Sequence, residues 1–183
     1  MGDPKRTRKS YETPRHPWRR DQLEVELHLM GDFGLRNKRE LWRYKTMLSE
    51  VRGIARSLLG STGEQRVHLE QEYLSKLGRM GVLSESATID DVLDLDIRDL
   101  LERRLQTMVF RTGLAKTLFQ ARQFVSHGHI TVAGKIISVP GYIVKRDEEG
   151  KLKYFSQSPL SKADHSARKV ITATAAGQAV AES

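Results

Sequence analysis

Apolar residues recur at helical spacing through most of the first hundred positions. Between about residues 37 and 59, Leu41, Tyr44, Leu48, Val51, Ala55 and Leu58 fall three or four apart, the stripe of one long amphipathic helix. A shorter helix is expected over residues 21–30, ended by Gly31 and Gly34. Ser61 or Thr62 opens a third, through Leu77, with Val67, Tyr73, Leu74 and Leu77 as inner residues and Gly78 and Gly81 at its close. Thr88, with Asp91 three residues on, reads as a helix start in which a carboxylate replaces the usual Glu of a capping box. Asp96 reads as a cap for one further helix, whose buried stripe is Ile97, Leu100, Leu101, Leu105 and Met108.

The pattern then changes. Leu114, Leu118, Ala121 and Val125 make the inner face of a helix over residues 115–126, and Gly128 suits its left-handed end. Residues 129–132 alternate as a half-buried strand does, Ala133-Gly134 sits at a tight turn, and residues 135–139 return. After Pro140-Gly141, residues 142–144 start another short strand, with 151–155 expected to pair with it across the acidic loop 147–150. Residues 157–183, rich in Ala, Ser and Thr, have no amphipathic period and read as an irregular tail. The expectation is an α+β chain: a basic extension (1–20), a helical domain (21–102), two helices with a small antiparallel hairpin sheet (103–156), and the tail (157–183).

Charge sharpens this division. The formal total is +8. Residues 1–46 carry a net +5, residues 47–102 a net −5, and residues 103–146 hold eight Lys and Arg with no Asp or Glu. Ordinary solvated surfaces mix both signs. A 44-residue acid-free block therefore points to a polyanionic partner, nucleic acid before an anionic membrane surface. The extension, with seven cations and three prolines in twenty residues, lacks the apolar surface to fold alone and is expected to order against a partner; a flexible solubilising tail is the blander reading.

Within the block, Lys116, Gln120, Gln123 and His127 recur at steps of four, three and four, nearly opposite the apolar stripe, with Arg122 beside them. These side chains donate hydrogen bonds to phosphates and bases. Phe119 lies on the same polar side, where two roles stay open: stacking on a base, or packing on the helical domain.

The order helix, turn at Thr112-Gly113, helix, hairpin resembles the S-four RNA-binding domain. The residues that carry the likeness include Arg104-Leu105, Gly113-Leu114-Ala115, Val132, Gly134, Val139-Pro140, Tyr142-Ile143-Val144 and above all the run Ala121-Arg122-Gln123-Phe124-Val125-Ser126-His127-Gly128-His129-Ile130. Two positions depart from the pattern: Ala133 stands where Asn is usual, and Phe124 where an aliphatic residue is usual. Over roughly residues 1–160 the chain is similar to the small-subunit ribosomal protein number four family, in its archaeal and eukaryotic form. The further matches are Pro14-Arg15-His16-Pro17-Trp18, the stretch Gly31-Asp32-Phe33-Gly34-Leu35-Arg36-Asn37-Lys38-Arg39-Glu40-Leu41-Trp42-Arg43, Leu95-Asp96-Ile97, and Leu101-Glu102-Arg103-Arg104-Leu105-Gln106-Thr107. The resemblance implies a structural constituent of the small subunit that binds its (16S-type) rRNA directly at a multi-helix junction. It further implies nucleation of assembly of the subunit body, contact with small-subunit ribosomal protein number five, contact with messenger RNA where it enters, and an influence on decoding accuracy. The candidate RNA contacts are Arg104, Lys116, Thr117, Gln120, Arg122, Gln123, His127, His129 and Lys135 in the module, Arg36, Lys38, Arg39 and Arg43 on the helical domain, and Arg15 and Arg19 in the extension.

Other chemistries fare poorly. Without cysteine there is no disulfide, thiolate zinc site or cysteine nucleophile, and the N-terminal zinc cysteines of many bacterial relatives are missing. No cofactor or metal is expected: His127 and His129 lie among cations, and the Asp90–Asp99 run lacks the Gly and terminal Glu of a calcium loop. No segment approaches the ~18 apolar residues of a spanning helix, and residues 1–20 lack a signal-peptide core, so a soluble cytoplasmic protein without membrane partners is expected. An RNA-modifying enzyme, a pseudouridine synthase or methyltransferase anchored by the module, would need a catalytic domain in residues 1–102, which are short, helical and motif-free. A free-standing heat-shock factor bound to stalled large subunits would not carry those 102 residues.

Overall fold

The computed structural model describes residues 9–61, 64–84, 86–162, 165 and 168. Five helices come first: α1 (Arg20–Asp32), α2 (Lys38–Gly60), α3 (Glu64–Arg79), α4 (Ile89–Asp94) and α5 (Ile97–Glu102). The α2 stripe read from spacing is the inner face: Leu41, Tyr44, Leu48, Ala55 and Leu58 are buried, and α1, α3, α4 and α5 all pack on it. The Asn37 side chain caps α2 by accepting from the Arg39 N–H at 3.0 Å. At the start of α4 the Thr88 N–H donates to the Asp91 carboxylate, and at the start of α5 the Asp96 N–H donates to Asp99, each at 2.7 Å. The carboxylate version of the capping box is therefore used twice. In α3, Leu77 is buried but Val67 is exposed, against its expected place in the core; Thr62 lies outside the described residues.

The expected single helix through residues 97–108 is broken. α5 ends at Glu102, Arg104 turns to extended backbone, and α6 (Leu105–Arg111) begins afresh. The cause lies about 40 residues away in sequence. The Leu105 N–H donates to the Tyr142 carbonyl at 2.7 Å, the Val144 N–H donates to the Arg103 carbonyl at 2.9 Å, and Arg104 bridges Ile143 antiparallel. Strand-like pairing replaces the next helical turn while both apolar stripes stay buried.

After a turn at Gly113 comes α7 (Leu118–Ser126), three residues shorter at its start than its apolar pattern suggests. Strands β1 (Ile130–Val132) and β2 (Lys135–Ile136) form the expected hairpin, paired Thr131 with Ile136 and Val132 with Lys135. The acidic loop holds a single-turn helix, α8 (Arg146–Glu149), and strand β3 (Leu152–Tyr154) follows. β3 pairs with β1, not with residues 142–144 as expected, so the sheet order is β2-β1-β3. The reason is that residues 142–144 are already paired to the break before α6. The first residues of the supposed irregular tail are also held: Pro159–Ser161 form a 3₁₀ turn, and Ser158 and Leu160 are buried. The rest of the tail lies almost entirely outside the described residues.

Buried apolar side chains form two clusters. One joins residues from Leu29 to Leu101; the other joins α6, α7 and the sheet from Leu105 to Leu160. Phe124, the family departure, is part of the second core.

Candidate nucleic-acid interface

The two cores meet where the α1–α2 loop lies on the start of α7. Gly34, at φ +57°, sits so close to Leu118 that an added Cβ would come within 2.8 Å of the Leu118 Cβ. Beside it Gln106, fully buried, donates through one amide nitrogen to the carbonyls of Gly34 (3.0 Å) and Leu118 (2.9 Å). The Tyr44 hydroxyl donates to the Gly141 carbonyl at 3.1 Å.

The same seam carries an ion-pair clasp. Glu40, in the first turn of α2, accepts from both arms of the Arg122 guanidinium (2.7 and 3.1 Å) and from Arg104. Burial pushes the Glu40 carboxyl up, but the hydrogen bonds and charges of Arg122 and Arg104 outweigh it and hold the group below the usual carboxylate range. Glu40 is thus ionised at neutral pH. A second buried carboxylate lies nearby: Glu26, 1% exposed, accepts from Lys45 (2.7 Å), Trp42 Nε1 (3.2 Å) and Gln22 (3.3 Å) and pairs with Lys38.

These contacts sort the expected RNA-binding residues. Arg104 is only 1% exposed, so its side chain is no surface contact but an anchor for Glu40. Arg122 is half-buried and spent on the same carboxylate. Thr117 and Gln120 cap α7: the Thr117 hydroxyl accepts from the Gln120 N–H (3.1 Å), and the Gln120 side chain accepts from the Lys116 N–H (2.7 Å). Lys38 is half-buried against Glu26. His129 is half-buried, its Nδ1 2.9 Å from the buried Ser158 hydroxyl, and so ties down residues 155–160.

Lys116, Gln123, His127 and Lys135 are exposed, as are Arg36, Arg39 and Arg43, and Arg15 and Arg19 in the extension. Arg19 has only a loose pairing with Asp21 at 3.9 Å. Residues 1–8 of the extension lie outside the described residues; Tyr11 and Glu12 lie on α2, with the Glu12 N–H on the Thr46 hydroxyl (2.9 Å) and the Tyr11 ring 6.0 Å from Trp42.

Three acids from outside the acid-free block therefore pair with four of its arginines: Glu40 takes Arg104 and Arg122, Glu149 takes Arg103, and Glu102 takes Arg111. Among the described residues, Lys116, Lys135 and Lys145 make no such ion pair, nor do Arg36, Arg39 and Arg43. Within the acid-free block, Arg104 and Arg122 are spent inward on Glu40, while Lys116, Lys135 and Lys145 face outward. Glu40 and the Gly34 loop tie the start of α2 to α7, and the exposed Arg39 and Arg43 flank Glu40 on that part of α2. The hairpin closes the other end, where Ile136 comes within van der Waals reach of Gly128.

Two organisers are invisible in the sequence. Glu40 looks like any first-turn acid of a helix, and Gln106 looks like a polar interruption in an apolar stripe. Their partners lie 64 to 82 and 12 to 72 residues away, so no local pattern marks them.

The S4 domain family matches residues 103–149, from the helix break to the end of α8. Three archaeal proteins named small ribosomal subunit protein uS4 match far more of the chain. That of Hyperthermus butylicus is 51% identical over 88% of this chain and 92% of its own length. The chain belongs to the uS4 family. The relative from Ignicoccus hospitalis is 50% identical over 88% of this chain and 98% of its own length, and that from Nanoarchaeum equitans 48% identical over 90% and 93%. The uS4 likeness thus covers the helical core as well as the S4 domain, including the seam that joins them. No described helix is long and apolar enough to cross a membrane.

Proposed function

We propose that this chain is a structural constituent of the small ribosomal subunit and binds small-subunit rRNA directly, on the face formed by the start of α2, by α7 and by the hairpin. One observation supports the reading: Glu40 is spent on Arg104 and Arg122 across the seam, while Arg39 and Arg43 on its own helix and Lys116 and Lys135 on the other side are exposed and make no ion pair among the described residues. Recognition rests on the shape of the folded RNA, as expected for phosphate and ribose contacts by Lys, Arg and Gln. Early binding of this kind nucleates assembly of the subunit body, and the protein works in the cytoplasm, on the ribosome. Contact with small-subunit ribosomal protein number five, contact with incoming messenger RNA and an effect on decoding accuracy belong to the same proposal, on the strength of the uS4 membership. Nothing in this role requires a catalytic step.

The test is a titration of the full chain against naked small-subunit rRNA. Replacing Arg39, Arg43, Lys116 and Lys135 together by Ala should leave the melting temperature within a few degrees and weaken binding at least tenfold. The slope of log affinity against log salt should become shallower by about 3, since each neutralised phosphate contributes roughly 0.7–0.9. Unchanged affinity would refute the assignment of the face. Co-sedimentation of the native protein with the large subunit, or with neither subunit, would refute the ribosomal role.

A further inference from the structure

The proposed rRNA face contains an exposed aromatic ring that a phosphate-binding surface does not need. Phe119 is 69% exposed, although it stands in a nine-residue helix that buries Phe124. At about 100° per residue the two phenyl groups lie roughly 140° apart around α7. Packing on the helical domain, the other role open to Phe119 from the sequence, is excluded by that exposure. Lys116 precedes it by one turn, Gln123 follows by one turn, and Ser126 and His127 by two; all are exposed and none is acidic. Ile136 and Val139, on and just after the hairpin, are exposed too, but they are aliphatic and offer no ring to stack; Leu69 stands between Glu70 and His68 on the acidic half of the chain.

Resting on the rRNA reading above, we propose that Phe119 is a stacking platform for one unpaired base of the bound RNA, with Lys116 and Gln123 holding the phosphates or sugars on either side. The chemistry selects this occupant. A flat apolar ring among cationic and amide donors fits a partner that offers a flat π-face beside negative charge. Paired bases are already stacked inside a helix, and A-form grooves present hydroxyls and phosphates. Only a base splayed from a loop, bulge or junction offers such a face.

The experiment uses the full chain and naked small-subunit rRNA. F119A and F119L should each weaken binding about tenfold, by the usual worth of one base–aromatic stack, while F119W binds as the wild type. The salt slope should not change, because no phosphate contact is lost. Chemical probing of the complex should show one unpaired base protected by the wild type and by F119W but exposed with F119A. Melting temperatures should differ by no more than a few degrees among the four proteins, since Phe119 is largely exposed. If F119A binds as the wild type while the four-cation variant does not, stacking is wrong and the rRNA face stands. Wild-type affinity in F119L would reduce the contact to plain apolar burial and overturn the proposal. So would unchanged binding of F119A to naked rRNA with loss of incorporation into subunits, which would mark a protein contact. Failure of the wild type itself to bind would overturn both readings.

Discussion

Gly34 meets two demands that no other residue satisfies together. Its φ of +57° is left-handed, and its missing Cβ makes room for Leu118. Replacement by Ala adds a strained conformation and an overlap with a Cβ that cannot swing away. Gly34→Ala should therefore cost roughly 2–4 kcal/mol of unfolding free energy, readable by urea denaturation. A loss under about 1 kcal/mol would mean that the seam is looser than described. Ala133 presents the opposite case. It holds φ +48° at the first central position of the β1–β2 turn without being Gly or Asn. The side chain is exposed, so nothing else depends on it. Ala133→Asn should stabilise the protein by roughly 0.5–1 kcal/mol, because Asn tolerates that conformation better; a lower urea midpoint would contradict this.

Helix α7 shows how an element both folds and presents a face. Its polar residues have separate roles. Thr117 and Gln120 close the start of the helix, while Gln123 on it and Lys116 just before its cap are exposed. Thr117→Ala should thus lower stability by about 1 kcal/mol, as loss of an N-cap does, yet change rRNA affinity less than threefold. A tenfold affinity loss without a change in melting would return Thr117 to the contact surface. The same separation is only half legible in the sequence. The period of α7 separates an inner from an outer side. It does not distinguish an outer residue that bonds its own backbone from one that is free, although the Thr-x-x-Gln spacing is itself a cap signature. The break between α5 and α6 is illegible for another reason: local periodicity runs straight through it, and the pairing that imposes it comes from residues 140–144.

Across the molecule, two cores are joined by buried polar groups together with a few apolar contacts, such as Ile143 packed on the first core. Glu40 is central to this junction, and its removal strands a guanidinium that is almost wholly buried. Glu40→Ala should cost about 3–5 kcal/mol, the usual penalty for breaking one side of a buried ion pair. The pH dependence follows from the same geometry. For Glu26, burial raises the pKa, but Lys45, Trp42 and Gln22 more than offset it; for Glu40 the arginines do the same, so both groups sit below their ordinary value of 4.5. Their folded-state pKa values are depressed, so their contribution is present above the unfolded value and lost as pH falls through the folded ones. The melting temperature should therefore drop steeply below about pH 4.5, and Glu40→Gln should flatten that drop. Parallel melting curves for the two proteins between about pH 7 and pH 3 would show that Glu40 is not one of the titrating groups.

Helices α2, α4 and α7, the hairpin, and the confinement of uncompensated charge to one stretch all follow from short-range regularities: side-chain period, caps and turn residues act within a few positions of each other. The family likeness is legible for the same reason, since it rests on contiguous runs. Which arginines stay free is settled elsewhere. The acid-free block looks uniformly cationic along the chain, but folding brings Glu40, Glu102 and Glu149 onto four of its eight basic residues and leaves lysines to face outward. Coulombic pairing depends on distance in space, and a linear pattern of charges carries no information about acids delivered from another part of the chain.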